Sequence, residues 1–131
     1  RFNLSTEEEK DILSFINGIN KDMEGTPFKI SYRILNETIL LYRSKKLLKK
    51  KLEEKGEDSS KINDNLNKVF DDILMQKVLP RIEGDYDKCS ICLSKLASRC
   101  ADNSWNDSAN KIEFMISRFG KDKSGFTSFW N

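Results

Sequence analysis

Ile62-Asn-Asp-Asn-Leu-Asn-Lys-Val-Phe-Asp-Asp-Ile-Leu-Met-Gln-Lys-Val78 decides the fold. Within it Ile62, Leu66, Val69, Phe70, Ile73, Leu74 and Val78 fall at helical spacing, and Pro80 just beyond cannot donate the next helical hydrogen bond. The pattern predicts a helix over about Ser60 to Val78. Its apolar face needs partners, so the flanking segments matter next.

Upstream, Ser5-Thr-Glu-Glu8 has capping-box spacing, and the acidic run Glu7 to Glu9 suits the positive end of a helix dipole. The helix that starts there carries Ile12, Leu13, Phe15, Ile16 and Ile19 as its predicted apolar stripe. It ends by Gly25, since Pro27 disfavours a helical residue ahead of it. A second helix is predicted from its cap at Ser31, with Ile34, Leu35, Thr38, Ile39, Leu41 and Tyr42 on one broad face and a continuation to Lys55. Gly56 to Ser60 has loop composition.

Downstream, Arg81 to Asp87 is a connector. A fourth helix covers about Asp87 to Cys100, and a fifth runs from about Ser108 to Arg118 after a polar loop containing Trp105. Gly120 closes the fifth helix and leaves residues 120–131 as a tail. Pro27 to Ile30 is the only strand candidate. The expected fold is all-α, an irregular bundle of about five helices forming a single domain over residues 1–131.

Composition agrees. At 131 residues the chain has room for one modest core and no second full domain. With 37% hydrophobic and 34% charged residues, it is polar yet not poor enough in Leu, Ile and Phe to be disordered. No apolar run approaches a membrane span, and the acidic start is unlike a signal peptide, so the chain reads as cytoplasmic with no membrane partner. Its first residue, Arg1, is expected to lie within a longer protein.

Charge is unevenly spread. The net charge of +2 makes no whole-molecule field, but residues 43–55 carry seven basic and two acidic side chains, whereas residues 1–24 carry three and six. Lys45, Lys46, Lys49, Lys50 and Lys51 therefore form either the solvated face of a helix extension or a contact for DNA or a protein partner. The segment lacks interleaved aromatics for base stacking.

Several chemistries are excluded or demoted. The chain has no histidine, which removes His-based acid–base pairs, Ser-His triads and His-ligated metals. It has no Gly-x-x-x-x-Gly-Lys-Ser/Thr loop, so it is not a complete P-loop enzyme. Cys89, Cys92 and Cys100 suggest a zinc site with one ligand missing, but with Leu96 they share one helix face, where cysteine behaves as a small hydrophobe. Asp64, Asp71 and Asp72 suggest a cation site, yet carboxylates along a regular helix do not converge. No metal site is expected.

Three stations, in order, carry a resemblance. Ile30-Ser-Tyr-Arg-Ile-Leu-Asn-Glu37 leads on to Tyr42. Phe70-Asp71 runs to Gln76-Lys-Val-Leu-Pro80 and Gly84. Ser108-Ala-Asn-Lys-Ile-Glu-Phe-Met115 precedes Gly125-Phe-Thr-Ser-Phe-Trp130. Together they resemble the C-terminal helical lid of McrB-type AAA+ nucleotidases, over roughly residues 5 to 130. The Lys-rich extension from Lys45 to Lys55 and the Gly-free entry to the second helix depart from that family.

The resemblance implies a sensor-2 role for Arg33, whose guanidinium forks onto nucleotide phosphates. Residue spacing alone allows an ion pair with Glu37 at i+4 instead. It also implies that the lid binds no cofactor alone, while the parent motor uses GTP or ATP with Mg. Expected partners are the rest of the AAA+ module, neighbouring subunits of a ring, an endonuclease and DNA. Phe126, Phe129 and Trp130, at i, i+3 and i+4, are expected to dock from a single turn onto the bundle or a neighbouring subunit. The alternative is a free-standing helical protein that binds a protein or nucleic acid through the Lys-rich segment.

Overall fold

The chain's computed structural model describes residues 4–130. Among them are α1 (Thr6–Asp22), α2 (Tyr32–Glu54), α3 (Leu66–Ile73), α4 (Tyr86–Asn103) and α5 (Asn106–Ser117), with two three-residue strands, β1 (Glu83–Asp85) and β2 (Phe126–Ser128). The fold is an all-α irregular bundle, as its periodicity predicts. One hydrophobic cluster draws on all five helices.

The first two helices start where their caps require. Glu8 N donates to Ser5 Oγ at 3.1 Å and Ser5 N to Glu8 Oε1 at 2.9 Å, completing the capping box. The other Glu8 oxygen accepts from Tyr42 of α2. Leu13 departs from the predicted stripe: it is 44% exposed, while Ile12, Phe15, Ile16 and Ile19 are buried. One helical step carries a residue about 100° round the axis, which takes Leu13 off the face that meets α2 and α4.

The third helix is shorter than its apolar spacing suggests. Asp58, Asn63 and Asn65 each accept a hydrogen bond from the backbone N–H two residues on. These local bonds compete with helix, so α3 begins only at Leu66, capped by Asn65. Leu74–Val78 then widens into a π-turn in which Leu79 N donates to Leu74 O, and a 3-10 turn over Leu79–Arg81 follows. Pro80 is the reason, because it has no N–H for the i−4 carbonyl and its ring crowds that oxygen.

Two strands replace predicted coil. Glu83 pairs with Ser128, Gly84 with Thr127 and Asp85 with Phe126, antiparallel. Gly84 sits at φ +146°, and a Cβ there would stand 2.8 Å from Lys88 Cδ. Gly125 passes so close to the end of α5 that a Cβ would meet Arg118 O at 2.4 Å. Glycine at both positions lets the tail fold back and pair. The strand candidate over 27–30 is a turn instead: Asn20 Oδ1 accepts from Ile30 N at 2.7 Å and Asn20 Nδ2 donates to Ile30 O at 3.0 Å, taking the bonds that a strand partner would use.

Trp105 lies in the short connection between α4 and α5, as expected, but its side chain is not solvated. It is buried, edge-on to Phe15 and Phe70, which stack with centroids 4.2 Å apart. Its Nε1 donates to Asn67 Oδ1 at 2.7 Å. With Trp105 committed to the core, the N-terminus of α5 has no cap of its own. Buried Asp71 of α3 supplies one: Asp107 N donates to Oδ2 at 3.1 Å, and Ser108 N and Oγ donate to Oδ1 at 2.9 and 2.5 Å.

Asp71→Ala should therefore orphan two backbone donors, while the Ser108 hydroxyl keeps its second acceptor, the Asp71 backbone carbonyl at 3.1 Å. The loss should be about 2 kcal/mol, whereas Asp71→Asn, which keeps a side-chain acceptor, should lose less. Urea denaturation checks both. A loss under about 0.5 kcal/mol for the alanine variant would show that α5 does not depend on this cap.

Candidate functional site

Arg33 occupies the first turn of α2, held there by the turn that precedes it. Ser31 accepts from Arg33 N at 3.3 Å as the cap. Thr26 closes the turn, its hydroxyl donating to Met23 O at 2.7 Å and accepting from Phe28 N at 3.1 Å. Asn20 clasps Ile30 from α1, and Arg81 of the 3-10 turn donates to Lys29 O at 3.2 Å. The second motif station thus grips the entry to the first. Its own continuation, β1, pairs with the third station in β2.

The Arg33 side chain is exposed, and it forms no ion pair among the described residues. Glu37 does not pair with it. It faces Lys77 across the α2–α3 groove, with Glu37 Oε2 at 4.0 Å from Nζ. That oxygen is buried and accepts no hydrogen bond among the described residues.

The Lys-rich stretch divides in two. Lys45 pairs with Asp72 at 2.7 Å, and Lys46 and Lys49 approach Asp64 at 3.5 and 3.6 Å. Lys46 also lies 4.9 Å above the Tyr42 ring. These three pin the middle of α2 to α3 and the segment entering it, so Asp64 and Asp72 serve lysines while Asp71 serves a helix cap. Lys50 and Lys51 face outward. Lys68 adds to the same network, 2.7 Å from Asp107 and 3.2 Å from Asp72, and the hydrogen bond to Asp107 raises its pKa.

The tail aromatics do not dock from one turn. Phe126 is 56% exposed and Trp130 75% exposed, while Phe129 is half-buried, with Lys111 Nζ 4.3 Å from its ring centroid. Thr127 and Ser128 are the buried residues, and Thr127 Oγ1 donates to Met115 O at 2.6 Å. Phe126 lies in β2 and Phe129 and Trp130 in the turn that follows it, so the three rings are not carried by one helical turn. Phe129 and Trp130 meet edge-on at 4.9 Å.

Sequence reasoning missed the pairing of buried Asp22 with half-buried Arg99. Arg99 Nε and Nη2 donate to the two Asp22 oxygens at 2.6 and 3.1 Å, fastening α4 to the end of α1. The guanidinium lies over Gly18, where a Cβ would stand 2.6 Å from Nη1. Only the absence of a side chain at Gly18 hints at this in the sequence.

Cys89, Cys92 and Cys100 are buried with Leu96 on the inner face of α4. Burial pushes the Cys89 thiol up to about 11 and the Cys100 thiol up to about 12, and raises Cys92 as well. Neutral thiols in apolar surroundings are poor nucleophiles.

The described residues thus define a helical bundle closed by a two-stranded clasp, with an arginine presented at the clasped end. Residues 2–124 match the family described as Domain of unknown function (DUF8727), and the chain belongs to that family. No curated protein and no solved structure matches it.

All three thiols should react with a thiol reagent only after unfolding, as measured with and without denaturant. The unfolded thiols ionise first, so the contribution of Cys89 and Cys100 to stability is complete below the ordinary value of 9.0 and declines as pH rises toward about 11 and 12. Native-state labelling at pH 8 as fast as in denaturant would contradict this.

Proposed function

We propose that the chain is the C-terminal lid of an McrB-like AAA+ nucleoside-triphosphatase motor in a modification-dependent DNA restriction system. The observation that carries the proposal is convergence. The stretches that carry the resemblance lie together at one end of the bundle: Arg81 of residues 77–84 bonds Lys29 O, just ahead of residues 30–37, and β1 pairs with β2 within residues 125–129. From that end Arg33 projects unpaired into solvent, as an arginine that meets phosphate on lid closure must.

The chain holds one phosphate ligand and no P-loop, so its residues fit one contact to GTP or ATP rather than a whole site. The rest of the AAA+ module binds the nucleotide and Mg, and supplies the charge that stabilises phosphoryl transfer. The lid contributes position. Clamped by Asn20, Ser31 and Arg81, Arg33 moves with the bundle as a rigid body, toward or away from the phosphates. Neighbouring ring subunits lie against the exposed Phe126 and Trp130, and the complex engages its endonuclease and DNA in the cytoplasm.

A free-standing partner-binding protein is the weaker reading. Of the five lysines it relies on, Lys45, Lys46 and Lys49 are engaged in internal ion pairs.

In the full-length protein, Arg33→Ala should slow nucleotide hydrolysis or weaken nucleotide binding by at least about 10-fold, equivalent to about 1.4 kcal/mol, while circular dichroism and thermal melting stay unchanged. Arg33→Lys should recover only part, since an ammonium cannot fork onto two oxygens. Wild-type kinetics in the alanine variant, or a reading frame with no P-loop ahead of Arg1, would overturn the assignment.

A further inference from the structure

Beyond the Arg33 end, α2 and the π-turn enclose a groove that neither the core nor the proposed nucleotide contact uses. It measures about 280 Å³ and is lined by Glu37, Leu40, Leu41 and Ser44 on one wall and Ile73, Gln76 and Lys77 on the other. Its floor is apolar. Leu40 is 65% exposed and Leu48, two turns on, 51% exposed, so the leucine stripe continues past the groove's end.

The groove is open because the π-turn ahead of Pro80 widens the wall opposite Leu40 and Leu41. Glu37 Oε2 accepts no hydrogen bond among the described residues, and its charge is met by Lys77 at 4.0 Å. The leucines of the α2 wall are left exposed beside it.

The rim sets the ligand's chemistry. Lys51 and Lys55 follow Leu48 on the same side of α2 at steps of three or four residues, and Lys77 stands on the opposite wall. All three are exposed. The single carboxylate in the groove, Glu37, turns inward to Lys77. From Glu37 to Lys51 the α2 wall runs about 21 Å at 1.5 Å per residue, the length of roughly four turns of a docked helix.

We infer that this groove is a docking site for an acidic amphipathic helix of a protein partner. The partner's leucine-type side chains seat over Leu40, Leu41 and Leu48, and its carboxylates face Lys51, Lys55 and Lys77. Concavity and the discrete apolar floor favour a helix in the groove over a lipid surface, which asks for a flat or convex apolar face. The site is independent of Arg33 and of the nucleotide.

The test uses the full-length protein and a fluorescent synthetic peptide of about six helical turns, with leucines at i, i+3/i+4 and i+7 and glutamates at most other positions. Anisotropy should show saturable binding that weakens with salt. Leu40→Glu and Leu48→Glu should each weaken it at least about 10-fold with the fold unchanged by circular dichroism. The double variant Lys51→Glu/Lys77→Glu should lose the acidic peptide and gain the same peptide with lysine in place of glutamate. That exchange of preference separates docking from loss of structure.

Absence of peptide binding, or equal binding by the leucine variants, overturns the proposal. So does preferential binding of phosphatidylserine vesicles or single-stranded DNA through the same residues. Failure of a maleimide to label Leu40→Cys in the intact protein would show the groove covered by another segment of that protein, and would overturn it equally.

Discussion

The cap that Asp71 places on α5 is the contact on which the rest of the fold depends. A helix begins with unbonded N–H groups, and burying such an end without acceptors costs more than most packing contacts return. α5 cannot cap itself, because the residue at that position, Trp105, is drawn into the ring cluster with Phe15 and Phe70. A carboxylate from α3 fills the gap. That bond fixes how α5 sits on α3, α5 carries Met115, and the Met115 carbonyl receives Thr127, which brings β2 to β1. One buried acid thus links the middle of the chain to its tail.

Charge holds elements together over much of the surface. The lysines that bias the middle of the sequence toward a basic patch are largely opposed by Asp64 and Asp72, and Lys68 bridges Asp72 and Asp107. Half-buried pairs of this kind, still open to solvent, contribute modestly one by one. Their arrangement leaves Arg33, at one end of α2, and Lys51 and Lys55, at the other, outside these pairs. The Asp22–Arg99 pair is different in kind, since both oxygens of the buried Asp22 carboxylate are bonded and removing the half-buried Arg99 would strand that charge.

The two ends of α2 therefore have distinct uses. Its first turn is tied to α1 and to the Pro80 corner, which gives Arg33 a rigid base. Its second half extends beyond the core, and the π-turn opposite Leu40 and Leu41 leaves a gap rather than a tight helix–helix seam. Pro80 stands behind both features, ending α3 in a corner that clamps the α2 entry and widening the preceding turn. A single residue without an N–H shapes two parts of the molecule.

Much of this was legible in the sequence where the cause is local. The capping box at Ser5 and Glu8, the cap at Ser31, the stop at Pro80 and the apolar period of the helices depend on residues within a turn or two of one another, so spacing reveals them. The burial of Cys89, Cys92 and Cys100 follows from the same period. Tertiary structure decided what depends on distant partners. Asp71 looks like a surface acid until α5 arrives over it, Trp105 looks like loop until Phe15 and Phe70 enclose it, and Phe126 to Ser128 looks like a helical turn until Glu83 to Asp85 offers it a strand. Arg33 was visible as a residue off the core face. That it stands unpaired, with Glu37 turned toward Lys77, was settled only when α2 and α3 packed together, because an ion pair goes to whichever opposite charge the fold brings within reach.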